Sequence, residues 1–318
     1  MKTKILLLAS ILVSGFVFGQ KDWSKVDFAD EYKLKVKIGG RSSKMLKNNK
    51  TFVNAYTISQ ATTMKGNERG ATKSVFSEVA LSGIDNEAYQ AMVDELYQKL
   101  QVELENAGLQ LSDGSEVFAS DYVQKRIRKD KNSEFIINTG ENPAYEGKMK
   151  VTDGAILGYG AWAVTRDVSF PPRNKNRYFT TNRVTSGLFY SNASKDAEVN
   201  LLGMHFYVAF ANFDGGRGYK DIKLETEPVL SVNAEVQLIT PNGAFNKVYF
   251  KKLPAWGSKE WSEGIEKGKD NKHTAEFLGL ARSAEFEITA NSEKYLSEIK
   301  SLIEKLQKDI VSGIKSEL

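Results

Sequence analysis

None of the 318 residues is cysteine, so neither a disulfide nor a zinc–thiolate site can hold this fold together, and packing must do it alone. The start of the chain sharpens that constraint, because it reads as an export signal. Lys2 and Lys4 form a positive n-region, Ile5 to Phe18 is a nearly unbroken apolar run, and Val17 and Gly19 suit the positions before a cut ahead of Gln20. Removal of 1–19 leaves 299 residues, and a chain of that length buries about three quarters of the surface it exposes when unfolded. Small exported domains lean on disulfides; this one has core enough without them. A cysteine-free exported chain of this size points to a bacterial envelope, since bridges are usual in eukaryotic extracellular domains.

The run Ile5 to Phe18 is shorter than the roughly 20 residues of a spanning helix, and no later stretch approaches that length. Gln20 stands where a lipoprotein would carry its acylated cysteine. The expectation is a free periplasmic protein with no direct membrane span, secretion being the alternative. Cleavage lowers the formal net charge from +4 to +2, and the remaining basic residues are mostly interleaved with acids. A pI of 8.8 therefore does not call for a nucleic-acid partner.

Between Glu31 and Ile38, Tyr32, Leu34, Val36 and Ile38 alternate with Lys33, Lys35 and Lys37, which predicts a half-buried strand. Residues 39–50 read as a polar loop and 51–59 as a second strand. Residues 60–84, with Gly66, Gly70 and Gly83 among several Ser and Thr, read as a long loop. Tyr89, Met92, Val93, Leu96, Leu100 and Leu104 recur at three and four residues, predicting a helix over 86–107 that Asp85 caps and Gly108 ends. Leu109 and Leu111 read as a short strand, 120–129 as a second helix and 135–137 as another short strand. Strand pattern then dominates at 154–164, 205–213, 229–240 and 244–251, the last two joined as a hairpin by Pro241-Asn242-Gly243. From Asn291 onward, Leu296, Ile299, Leu302, Ile303, Leu306, Ile310 and Ile314 form one stripe of a long amphipathic helix, whose ordinary use is to pack on its own sheet. The fold class expected is α+β: one domain over 20–318, with a mixed or largely antiparallel sheet, packed helices and a long C-terminal amphipathic helix.

Histidine supply limits the enzymology. Only His205 and His273 are present; the first sits in an alternating strand, where a hydrogen-bonded structural role is the ordinary one, and the second in a polar, solvated stretch. Serine-triad and zinc-hydrolase chemistry are therefore disfavoured, and no cofactor or metal motif emerges. A pair of carboxylates alone can run a glycosidase, with Glu225 and Glu227 as plausible a pair as any. Gly158-Tyr159-Gly160-Ala161-Trp162-Ala163 matches a loose dinucleotide pattern, but no helix follows it, and glycines in a curved strand account for it better. Asp214 to Gly218 lacks the acidic alternation of a calcium loop and reads as a flexible turn.

The stretch 166–190 reads as a basic and aromatic loop, Arg166, Arg173, Arg177 and Arg183 lying among Phe170, Tyr178, Phe179 and Tyr190. Arginine forks bind phosphate or carboxylate, and aromatic faces stack on bases or sugar rings. The competing account is an excursion whose aromatics fold back onto the core. Trp256 and Trp261 pose the same choice between core anchors and a sugar-stacking platform. The candidate ligand residues are thus Arg166, Arg173, Arg177, Arg183, Tyr178, Trp256 and Trp261.

The order of elements, with a helix ending Asn106-Ala107-Gly108-Leu109 before a strand and a late aliphatic strand Val236-Gln237-Leu238-Ile239 running into Thr240-Pro241-Asn242-Gly243, resembles a bacterial envelope fold. That fold is shared by the curli-secretion lipoproteins and the outer-membrane lipoprotein activators of penicillin-binding proteins. The resemblance covers about half of the mature chain and carries over no functional residue. Both families have the lipidated cysteine that Gln20 replaces, and the 166–190 stretch has no counterpart in them. The leader, ending Phe18-Gly19 before Gln20, is similar to signal peptides common in the Bacteroidetes. The resemblance implies a non-enzymatic assembly or scaffold role in the periplasm, with an envelope protein as partner. The alternative is a glycan-binding protein or a carboxylate-dependent glycan hydrolase, and a third reading is a module for anionic lipid or nucleotide built on the arginines. Oligomeric state is open.

Overall fold

Alternating side chains build strands far longer than the sequence predicts. The computed structural model describes residues 32–69, 74–129, 137–138, 157–158, 162–169, 183–217, 222–250, 255–267 and 281–318. At its centre lie β2 (Thr51–Arg69), β7 (Asn200–Arg217) and β8 (Ile222–Ile239), each of 18 or 19 residues. Around them run β1 (Leu34–Lys37), β3 (Ser74–Ser82), β9 (Phe245–Phe250), β11 (Ser262–Lys267) and β12 (Ala281–Ala290), in the order β1-β9-β8-β7-β2-β3-β12-β11. β6 (Trp162–Ser169) and the two-residue β10 (Ala255–Trp256) complete this ten-stranded sheet, pairing with β2 and β8, while β4 (Ile137–Asn138) and β5 (Leu157–Gly158) pair separately. β7 and β6 run parallel to β2 and β12 runs parallel to β3; the other pairings in the large sheet are antiparallel. The sheet is mixed and the class is α+β, as expected.

One face is sealed by two helices that the sequence locates well. In α2 (Asn86–Asn106), the Asp85 carboxylate accepts from the Glu87 and Ala88 amides, and the predicted stripe from Tyr89 to Leu104 is buried. In α6 (Ser292–Ser316), the Asn291 side chain accepts from the Lys294 amide, and Tyr295, Ile299, Ile303, Leu306, Ile310 and Ile314 are fully buried. The C-terminal stripe therefore packs on its own sheet. The two helices lie side by side and parallel, because contacts advance together along both: Glu95 with Lys300 and Lys99 with Glu304 at 2.6 Å each, then Glu103 with Gln307 at 3.2 Å. Beneath them Tyr56 donates from its hydroxyl to Gln307 Oε1 at 2.9 Å, and Tyr89 donates to the Ile58 carbonyl at 2.9 Å. Burial pushes the phenols of Tyr56, Tyr89 and Tyr295 up, away from ionisation.

The other face is covered at one end by α3 (Ser115–Ala119), α4 (Asp121–Lys129) and α5 (Arg183–Ala197), with Val117, Val123, Phe189, Tyr190 and Ala193 packed on Phe52, Leu201 and Ile239. The predicted hairpin is present. β8 and β9 pair at Ile239 with Phe245, Gly243 takes φ +76°, and the Asn242 side chain accepts from the Ala244 amide. Ser42 of α1 (Gly40–Asn48) is tied to the same turn by hydrogen bonds from Thr240 and Asn242.

Four expectations are corrected. The polar stretch 39–50 holds helix α1, because Leu46 can be fully buried while its lysines stay outside. The presumed loop 60–84 holds the end of β2 and all of β3, where Met64, Val79 and Leu81 supply the apolar side chains that join the core. Asp214 to Arg217 is no turn either but continues β7, paired with 222–225 of β8. The fourth is the 166–190 stretch, which begins in β6 and ends in α5. The leader, Gln20 and His273 lie outside the described residues. No described helix is long and apolar enough to cross a membrane.

Candidate functional site

A strand shows every second residue to one face, so pairing register states which side chains stand in a row. On the face away from α2 and α6, the first row, Phe52–Leu201–Ile239, is apolar and lies under α3 to α5. The next, Ala55–Gly203–Gln237, is small at its centre. A polar row follows, Thr57–His205–Glu235, and after it Ser59–Tyr207–Asn233. The rows between them, such as Tyr56–Met204–Val236 and Ile58–Phe206–Ala234, point to the helices and supply the core. Three neighbouring strands thus share one pattern: apolar toward α2 and α6, hydrophilic behind.

Within the polar row, Thr57 Oγ1 and His205 Nδ1 are 2.8 Å apart. Glu235 is the cross-strand partner of His205. Thr57, Ser59 and Glu235 are buried, at 4%, 4% and 8% exposure, whereas His205 and Asn233 are half-exposed. Gly203 keeps the ground beside the imidazole low: a Cβ there would stand 3.7 Å from His205 Nε2 and 3.8 Å from Gln237 Cβ. Buried hydroxyl and carboxylate groups are costly unless hydrogen-bonded, and the half-exposed imidazole beside Thr57 supplies one such partner on this face.

A hydroxyl hydrogen-bonded to an imidazole is the geometry of a nucleophile and its base. Here the hydroxyl belongs to a side chain that is 4% exposed, so a substrate cannot reach it without opening the sheet face. Binding through the more open His205 and Asn233 is the chemistry the arrangement supports. Among the described residues no three histidine, aspartate or glutamate side chains come together as metal ligands.

Most residues singled out in the sequence are placed elsewhere. Trp261 is fully buried: its ring stands edge-on to Tyr295 with centroids 5.0 Å apart, and its indole N–H donates to the Ser258 carbonyl at 3.0 Å. It is a core anchor and offers no stacking face. Trp256 is in β10, opposite Ser231. Arg166 is in β6, opposite Ala61, and Arg183 opens α5. Arg173, Arg177 and Tyr178 lie outside the described residues. Tyr190, at the end of the same stretch, is 2% exposed and packs against Phe189, so there the aromatics do fold back. Glu225 and Glu227 pair with Asp214 and Asn212. Of the polar row the sequence singles out only His205; the signal for the rest is the alternation of apolar Tyr56, Ile58, Met204, Phe206, Ala234 and Val236 with Thr57, Ser59, His205, Asn233 and Glu235 in three strands. Comparison with family models, curated proteins and solved structures finds no match to this chain.

Proposed function

We propose that this protein is a non-enzymatic binding or assembly component of a bacterial cell envelope, working in the periplasm after removal of residues 1–19. The observation that supports recognition over catalysis is the hydrophilic second face of the sheet, where Thr57, His205 and Glu235 form one row and the reactive hydroxyl is buried. Of this face, the half-exposed His205 and Asn233 are held on rigid strands and bind with little loss of freedom, which suits a docking surface. The export reading rests on Lys2, Lys4 and the apolar run that follows.

The test is capture from native envelope fractions by the immobilised mature chain. A reproducible protein partner is the expected result; turnover of envelope glycan by the purified chain, with no partner recovered, overturns the reading. Glycan binding is the second reading, favoured by the half-exposed polar side chains of His205 and Asn233 on the same face. The burial of Trp261 removes one of the aromatic platforms it counted on.

A further inference from the structure

Two stretches of the chain are basic without relief. Residues 32–50 hold seven Lys and Arg and no acid, and 241–252 hold three Lys and no acid. The mature chain has a formal charge of only +2, so the rest of it carries more acids than bases. Pairing of β1 with β9 lays the two stretches side by side.

Alternation then sorts their side chains. Leu34, Val36 and Val248 join the core under α6, where a Cβ on Gly313 would come within 2.6 Å of Val36. Lys35, Lys37, Phe245, Lys247 and Tyr249 are thereby turned to the other face, and all five are exposed. Lys37 stands directly opposite Lys247, and Lys35 opposite Tyr249. Like charges opposite one another in a sheet are destabilising, so Lys37 and Lys247 weaken the pairing of their own strands. Among the described residues none of the three lysines is in an ion pair. The one acid in 231–239 of the neighbouring β8, Glu235, is buried. Phe245 and Tyr249 are 51% and 40% exposed, on either side of Lys247, and belong to the few large apolar side chains that the described residues leave open. Among those residues β1 pairs with β9 alone, so the face ends at an open edge.

The groups on this face define what it can recognise. Apart from the Tyr249 hydroxyl its polar atoms are ammonium donors, with no carboxylate or amide among them. It therefore reads negative charge and apolar area, without the pattern of donors and acceptors that a peptide or a sugar needs. An anionic lipid surface is a plane of charge over hydrocarbon. Aromatic rings settle at that boundary, lysine stems lie along apolar surface while their ammonium groups reach phosphate, and each cation near the surface adds to the attraction.

We propose that the β1–β9 face docks this protein on an anionic lipid surface, with Lys35, Lys37 and Lys247 meeting lipid phosphates and Phe245 and Tyr249 entering the interface. The contact is peripheral and uses no spanning segment. It rests on the envelope reading above for its setting, and adds a lipid surface to the protein partner that capture seeks.

The experiment is flotation of the purified mature protein with vesicles of phosphatidylcholine, alone or with added phosphatidylglycerol, across ionic strength. The parent is expected to float with the anionic vesicles, to stay behind with the neutral ones, and to bind less as salt rises. K37E/K247E is expected to lose about tenfold or more in affinity, and F245S/Y249S at least about threefold with every charge in place. K37R/K247R is expected to bind like the parent. So is K294E/K308E, which makes the same charge change at exposed positions of α6, across the sheet. A parent that ignores anionic vesicles or binds neutral ones equally overturns the proposal, and so does an equal loss in K37E/K247E and K294E/K308E. Capture of soluble polyglutamate in preference to vesicles also overturns it and makes the face a site for an acidic polypeptide. Failure here with partner capture intact removes only this inference, whereas vesicle binding with no captured protein removes the assembly reading and leaves this one.

Discussion

Replacing Trp261 with alanine separates a core anchor from a ligand platform. The side chain is fully buried, packs edge-on against Tyr295 at 5.0 Å and donates its indole N–H to the Ser258 carbonyl at 3.0 Å. Truncating a buried tryptophan costs about 3–5 kcal/mol, of which the aromatic pair accounts for roughly 0.5–1.5. The Ser258 carbonyl also loses one of its two donors, worth about 1 kcal/mol, and keeps the Leu230 amide at 3.3 Å. Since these contributions overlap, Trp261→Ala is expected to lower the unfolding free energy by about 4 kcal/mol, a large part of the 5–15 kcal/mol typical of a folded domain. Trp261→Phe keeps the ring contact but not the N–H and is expected to cost about 1–2 kcal/mol. Reversible urea unfolding followed by far-UV circular dichroism measures both. An alanine variant within about 1 kcal/mol of the parent refutes the packing account and returns Trp261 to the surface.

Tyr56→Phe leaves Gln307 Oε1 without its donor under α6 and is expected to cost about 1–2 kcal/mol in the same assay; no change means the contact carries no stability. Burial raises the phenols of Tyr56, Tyr89 and Tyr295, so their contribution is complete below the unfolded value of about 10 and is lost as pH rises beyond it. Tyrosinate absorbance of these three is therefore expected to appear only together with alkaline unfolding, and ionisation that precedes loss of structure contradicts their burial. Gly114 has φ +87° and a Cβ there would come within 2.5 Å of the Phe52 ring, whereas one on Gly203 meets only ordinary contacts. Gly114→Ala is expected to cost at least about 1–2 kcal/mol, and Gly203→Ala less than about 1; equal thermal shifts refute the distinction.

What could be read from the sequence followed the local signal. Helices α2 and α6 declare themselves because a stripe coincides with a cap, at Asp85 and at Asn291, and in α2 with a stop at Gly108. The turn at Asn242-Gly243 is legible for a similar reason, since glycine at positive φ and an asparagine that bonds its own backbone belong to the chemistry of the turn. The strand ends of β2 and β3 were not legible. Ser, Thr and Gly there mimic a loop, and only cross-strand partners, distant in sequence, convert them into a sheet face. The same blindness hid the polar row. Thr57, His205 and Glu235 lie on three separate strands, and no spacing along the chain brings them together. The aromatic residues misled in the other direction, since Trp261 and Tyr190 look like ligand platforms when the core they fill is not in view.

The central claim is that the polar row is kept for recognition and not for stability. Partner capture from envelope fractions by a variant carrying Thr57→Val, His205→Leu and Glu235→Leu, checked to be folded, tests it most directly. Apolar replacement of buried polar groups is often neutral or stabilising, so the variant is predicted to unfold within about 1 kcal/mol of the parent, or later, and to lose the partner the parent recovers. A variant that keeps the partner, or one that unfolds several kcal/mol earlier, contradicts the claim and makes the row part of the scaffold.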